Sequence, residues 1–226
     1  MGRELLCTPL NGSTLVAWLS RHALVDGPDA MPSFVDGMAR WVGWADAIPL
    51  AAALHAPPGP CAATPPTAST SALDREIERV RASLIRSIEN DASLARDADF
   101  AQHRRHCVRQ QQAMERAVTA LRSQARTAVA QQSPALSRLA AIDTVMADVI
   151  GPREQHLLAM IPSVLERHFL RLSTHDDAVA TRWLDVFRRD MRQLLLAELD
   201  LRLQPVEGLR EALGHQIQHF DDQVPV

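Results

Sequence analysis

The sequence predicts an all-α protein: a small N-terminal helical module, a flexible proline-rich linker, and a C-terminal antiparallel helical bundle or coiled-coil-like hairpin. Three observations carry this. From Leu73 onward apolar residues recur every three or four positions almost to the end of the chain. No run has the alternating, β-branched character of a sheet strand. Five prolines crowd into Pro57 to Pro66, followed by Thr67, Ser69, Thr70 and Ser71, a composition that favours extended, solvated chain. The expected boundaries are residues 1–56 for the module, 57–72 for the linker and 73–226 for the bundle.

In the module, Leu15, Trp18 and Leu19 mark a short helix entered through Asn11, Gly12 and Ser13. A second starts near Ser33, whose hydroxyl forms a capping box with Asp36, and it stacks Phe34, Met38, Trp41 and Ala45 on one stripe. Trp18, Trp41 and Trp44 read as the core of a helical mini-domain. Beyond the linker, Leu73, Ile77, Val80, Leu84 and Ile88 share a face, with Asp74, Glu76 and Glu78 placed early, where the helix dipole favours anions. A polar break at Asn90, Asp91, Asp97 and Asp99 follows. Phe100, Cys107, Met114, Val118, Leu121, Ala125 and Ala128 then form a heptad-like seam, interrupted by Arg104 and Gln111.

Ser133-Pro134 is a helix start, with serine as cap and proline at the first helical position. The segment that follows carries Leu136, Leu139, Ile142, Met146 and Val149. Gly151-Pro152 is predicted to end it and to open another through Leu158, Ile161, Val164, Leu165, Phe169 and Leu172, with a kink or restart at Pro162. Thr174 and Asp177 are predicted to cap a long helix through Trp183, Leu184, Phe187, Met191, Leu194, Leu195 and Leu199. Pro205 is predicted to close it, leaving a short last helix that ends near Phe220. The alternation Leu199, Leu201, Leu203 is the one strand-like passage, and its flanks favour helix.

The 226 residues are 46% hydrophobic and carry a net charge of -3, which excludes disorder over the full length and a cationic nucleic-acid coat. All 24 basic side chains are arginine. A GC-rich genome produces that bias, and it removes Schiff-base, P-loop and general-base lysine chemistry. Cys7, Cys61 and Cys107 are far apart, odd in number and outside any CxxC pattern, which fits a reducing cytoplasm rather than a disulfide framework. The N-terminus, with Arg3, Glu4 and then Pro9, Asn11 and Gly12, lacks the apolar run of a secretory signal. Residues 47–73, the longest stretch without Arg, Asp or Glu, are too rich in Pro, Ser and Thr to span a bilayer. No membrane insertion is expected.

Charge is unevenly placed. Residues 1–72, 73–132 and 133–226 sum to -2, +3 and -4. Arg104, Arg105, Arg109, Arg116, Arg122 and Arg126, against the lone Glu115, occupy one sector of the helix that begins at Phe100, at about 100° per residue. These six are the predicted interaction surface, pairing with the acidic C-terminal helices or with a second subunit. An arginine row can also track a phosphate backbone, but the seam needs Phe100, so no base-stacking platform is visible. His103, His106 and Cys107 have spacings at which imidazole and thiolate could share zinc, and His215 and His219 form an i, i+4 pair. The zincin pattern needs glutamate directly after the first histidine, where this chain has Gln216. No G-x-S-x-G, G-x-G-x-x-G or Walker pattern occurs, and Asp176-Asp177 are explained by capping. Neither a catalytic residue nor a cofactor is therefore expected.

The passages L-N-G-S-T-L-V-A-W-L-S-R and S-F-V-D-G-M-A-R-W-V-G-W-A-D-A-I-P-L within 10–54, S-P-A-L-S-R-L-A-A-I-D at 133–143, P-R-E at 152–154 and F-R-R-D-M-R-Q-L-L-L-A-E-L-D-L-R-L-Q-P-V-E-G-L at 187–209 resemble a proteobacterial family of domain-of-unknown-function proteins. The resemblance covers most of the chain apart from the linker, brings no catalytic residue with it, and implies an envelope-linked role through neighbouring genes for OmpA-like proteins. The expected function is a non-enzymatic cytoplasmic interaction or scaffold protein, with itself as a homo-oligomer and an unidentified protein as partners. A nucleic-acid-binding regulator using the basic helix and a metal-binding protein using the His/Cys cluster are the alternatives.

Overall fold

Helical periodicity governs every described element. The computed structural model describes residues 14, 15, 18, 19, 44–55, 66–90, 99–175 and 182–221. They form α1 (Trp44–His55), α2 (Pro66–Glu89), α3 (Phe100–Ala130), α4 (Pro134–Leu158), α5 (Ile161–His175) and α6 (Arg182–Asp221), with residues 14, 15, 18 and 19 also helical. There is no strand among the described residues, and the protein is all-helical.

The predicted start at Ser133-Pro134 holds, and Asp99, read from the sequence only as part of a polar break, proves to be a cap as well. Asp99 caps α3 by accepting the Ala101 N–H at 2.9 Å, and Ser133 caps α4 by accepting the Leu136 N–H at 3.2 Å, with Pro134 next to it. Pro162 stands at the second position of α5 after a turn at Ala159 and Met160, which is the predicted restart.

Four expectations are corrected. The stretch read as linker is already helical from Pro66, so Asp74, Glu76 and Glu78 lie two to three turns inside α2; residues 57–65 lie outside the described residues. Gly151-Pro152 does not end α4, and Pro205 does not end α6. Each proline forfeits one i→i-4 bond, and neighbouring helices hold the chain helical across it. Thr174 belongs to the end of α5, where its hydroxyl donates to the Arg171 carbonyl at 3.0 Å, instead of capping α6. Residues 176–181 and 33–43, with Asp177, Ser33 and Trp41, lie outside the described residues.

α3 is packed by α2, α4, α5 and α6, while α6 also contacts α2, α4 and α5, and α1 lies on α4. The stripe Leu73 to Ile88 is buried as predicted, together with Cys107, Met114, Val118, Leu121 and Ala125. At the start of α3 the buried face turns towards His103, His106 and Gln110, leaving Arg104 outside. Leu15 and Trp18 join the same core, Trp18 edge-on to the His168 ring at 5.9 Å. Phe187 lies at the centre of the aromatic end, 5.0 Å from Phe169, 5.1 Å from His103 and 6.3 Å from Phe100. Leu194, Leu195, Ala197, Glu198 and Leu199 are all buried, since α6 is enclosed by neighbours on several sides there. This enclosure is why Leu199, Leu201 and Leu203 run as helix.

Phe187→Ala should destabilise the protein by about 3–5 kcal/mol, the range for emptying a fully buried aromatic site. Leu170→Ala, at a residue 56% exposed, should stay within about 0.5 kcal/mol. Urea denaturation followed by circular dichroism distinguishes the two.

Candidate functional site: a buried polar network beside an apolar groove

The site begins with one acid in a leucine run. In L-L-L-A-E-L the enclosure of α6 leaves Glu198 completely buried. An isolated buried carboxylate costs several kcal/mol, so partners must come from facing helices. Arg202, one turn on, donates its Nε–H to Glu198 Oε1 at 2.9 Å and its Nη1 to Glu115 of α3 in a very short contact. Glu115 also accepts from Gln155 of α4 at 2.6 Å. One turn earlier on α3, the Gln111 amide donates to Glu198 Oε2 at 3.1 Å and to the Leu158 carbonyl, the last of α4, at 2.9 Å. That second bond satisfies a carbonyl orphaned by the end of α4. Three helices thus meet through Gln111, Glu115, Gln155, Glu198 and Arg202.

Burial pushes the Glu198 carboxyl above the usual carboxylate range, Glu154 nearby pushes in the same direction, and Arg202 and Gln111 work against them. Glu154 of α4 is likewise raised by burial, with Arg202 and Arg122 opposing and Glu115 adding to it. Cys107 is raised well above an ordinary thiol by burial and by Glu198, which favours the protonated thiol.

A second polar contact closes α3 onto α4. Arg122 grips Asp143 through both oxygens, at 2.9 and 2.5 Å, and Arg126 adds Nε–H to Oδ2 at 2.6 Å. Burial raises the Asp143 carboxyl, but the hydrogen bonds and charges of the two arginines outweigh it and hold the group below its ordinary range.

The predicted surface therefore divides. Arg122 and Arg126 are spent inside the molecule on Asp143, while Arg104, Arg105, Arg109 and Arg116 are exposed. Arg105 donates to its own helix at Ala101, and Arg109 donates to His106 Nδ1 at 3.1 Å. His103 and His106 lie inside the bundle. His103 is buried against Phe169 and Phe187, and His106 accepts from Arg109. No group of three or more His, Cys, Asp or Glu among the described residues could hold a metal. His215 is exposed on α6, and the His219 side chain lies outside the described residues.

A matching pair on α5 had no counterpart in the sequence reading. His168 accepts from Arg171 at Nδ1, 2.9 Å, so its Nε2 carries the proton and donates to Asp190 of α6 at 2.9 Å. His106-Arg109 and His168-Arg171 share the spacing H-x-x-R, and that spacing is the signal which could have found them. Glu198 had its own signal, an acid inside an otherwise apolar helical run.

These features define an all-helical protein whose central helices are locked together by ion pairs and by hydrogen bonds from side-chain amides. The chain belongs to the family described as "Protein of unknown function (DUF3348)", whose model it matches over residues 1–215. No curated protein and no solved structure matches it.

Arg202→Met should cost about 3–5 kcal/mol by stranding Glu198 and Glu115, and adding Glu198→Gln should return part of that loss in a double-mutant cycle. Asp143 has a folded pKa below its unfolded value, so its contribution is present at neutral pH and lost as pH falls through the acid range. Asp143→Asn should accordingly be less stable at pH 7 and lose that deficit relative to the parent protein as the pH is lowered through the acid range, measured by thermal unfolding across pH.

Proposed function

We propose that the protein is a non-enzymatic interaction protein of the cytoplasm that assembles with itself and with a protein partner through its helix surfaces. The observation behind this is the contrast between inner and outer arginines. Arg122, Arg126 and Arg202 each hold a carboxylate, whereas Arg104, Arg105 and Arg116 are exposed and make no ion pair among the described residues. Acidic side chains stand on the outside of α6, Asp185 being 72% and Asp200 69% exposed. A basic row on one helix and acids on another give two copies complementary surfaces, which favour association at low salt. The buried ionisable groups of the network are engaged in joining helices, and this supports a binding role over a catalytic one.

Light scattering at tens of micromolar should show an oligomer that dissociates as salt is raised, and the triple variant Arg104→Glu, Arg105→Glu, Arg116→Glu should be monomeric with an unchanged melting temperature. A strict monomer at low salt with no cross-linked partner from the native host would sink the proposal. Steeply salt-dependent DNA or RNA binding by the same row would replace it with the nucleic-acid reading.

A further inference from the structure

A groove of about 440 Å³ runs between α4 and α6. Leu139, Ile142, Met146 and Ile150 of α4 face Pro205 and Leu209 of α6 across it, Arg122 of α3 closes the third side, and Glu154 stands at the end nearer to Arg202. From Leu139 to Glu154 the wall is about 22 Å long at 1.5 Å per residue. That length suits one slender chain laid along the groove.

A glycine stands on each wall of the groove. Gly151 lines one wall and Gly208 the other, and a Cβ built at either meets no atom within 4 Å. Interior helical glycine is costly relative to alanine, and at these positions no clash excludes a side chain. The open space lies where side chains would have fitted and added to the fold.

Charge supplies the third observation. Around this end, Arg202 is bonded to Glu115 and Glu198, Asp143 engages both Arg122 and Arg126, and Glu154 feels the charges of Arg202 and Arg122 without a bond to either. Glu154 makes no hydrogen bond or ion pair among the described residues. With every group ionised, the three arginines face four carboxylates, one cation short of neutrality.

We infer that the groove is a binding site for a slender amphipathic cation, its apolar body lying between α4 and α6 and its ammonium or amidinium group meeting Glu154. An apolar slot with a few convergent polar groups, here Glu154 beside the paired Arg122 and Asp143, is the usual form of a small-molecule site, and the charged contact fixes the ligand's direction. The inference stands apart from the exposed Arg104, Arg105 and Arg116 of α3.

Isothermal titration of the full chain with n-octylammonium, n-octanol and n-octanoate tests it. Octylammonium should bind with one-to-one stoichiometry, at least tenfold more tightly than octanol, with octanoate weakest. Glu154→Gln should bring amine and alcohol to within about twofold, and Gly208→Leu should weaken both at least tenfold with the circular dichroism spectrum retained. If Gly208→Leu does not fold, Gly151→Leu fills the same slot from the other wall. No saturable amine binding, equal binding of amine and alcohol to the parent protein, or amine binding untouched by Glu154→Gln and by the slot-filling variant would each overturn the proposal. So would a dimer that a slot-filling variant dissociates, since the groove would then be occupied by a second copy.

Discussion

One guanidinium sets the register of the central helices. Arg202 holds Glu198 on its own helix and Glu115 on α3, and Glu115 in turn is tied to Gln155 of α4. Buried ion pairs seldom add much stability, because desolvation cancels most of the attraction. What they do well is make wrong arrangements expensive. The middle of α6 is so rich in leucine that apolar packing alone would tolerate a slide of one turn. Such a slide would carry Glu198 away from Gln111 and leave a buried acid facing hydrocarbon. The acid that seems out of place in a leucine run is therefore what fixes the leucines in place.

The polar contacts at both ends of the assembly serve the same end. The Gln110 amide exchanges two hydrogen bonds with Ser87, at 3.0 and 3.1 Å, and so pins the end of α2 to α3. His168 bridges α5 to α6 through Asp190, with Arg171 fixing the ring tautomer. Phe187 packs beside His168 and Phe169. Apolar burial holds the helices together, and a few directional bonds decide how far along one another they lie.

The helical class, the stripe on α2, the seam on α3 and the Ser133-Pro134 start were all legible, because periodicity and capping are local properties of the chain. The misreadings at Gly151-Pro152 and Pro205 share a cause: breaker residues report an intrinsic preference, and packing by neighbouring helices overrides it. The candidate site was only partly legible. Six arginines could be assigned to one sector of α3, but the sequence gives no sign that Asp143 would claim Arg122 and Arg126, since that contact joins residues 17 and 21 positions apart across a turn. Gln111 could be seen as a break in the seam, yet its role follows from the place where α4 ends in space. The groove depends on which faces of α4 and α6 meet, and periodicity cannot say that for two helices apolar on more than one side.

The length of α6 has a consequence for how the molecule behaves in solution. Its 40 residues make a rod of about 60 Å. A spherical protein of this chain length would have a radius of gyration of about 17 Å, a ball narrower than that rod. The described residues are therefore elongated along α6, and a particle elongated in this way tumbles more slowly and diffuses less freely than its mass implies. A calibrated size-exclusion column would overstate its mass even for a single copy, and shape and assembly have to be separated by a method that weighs the particle.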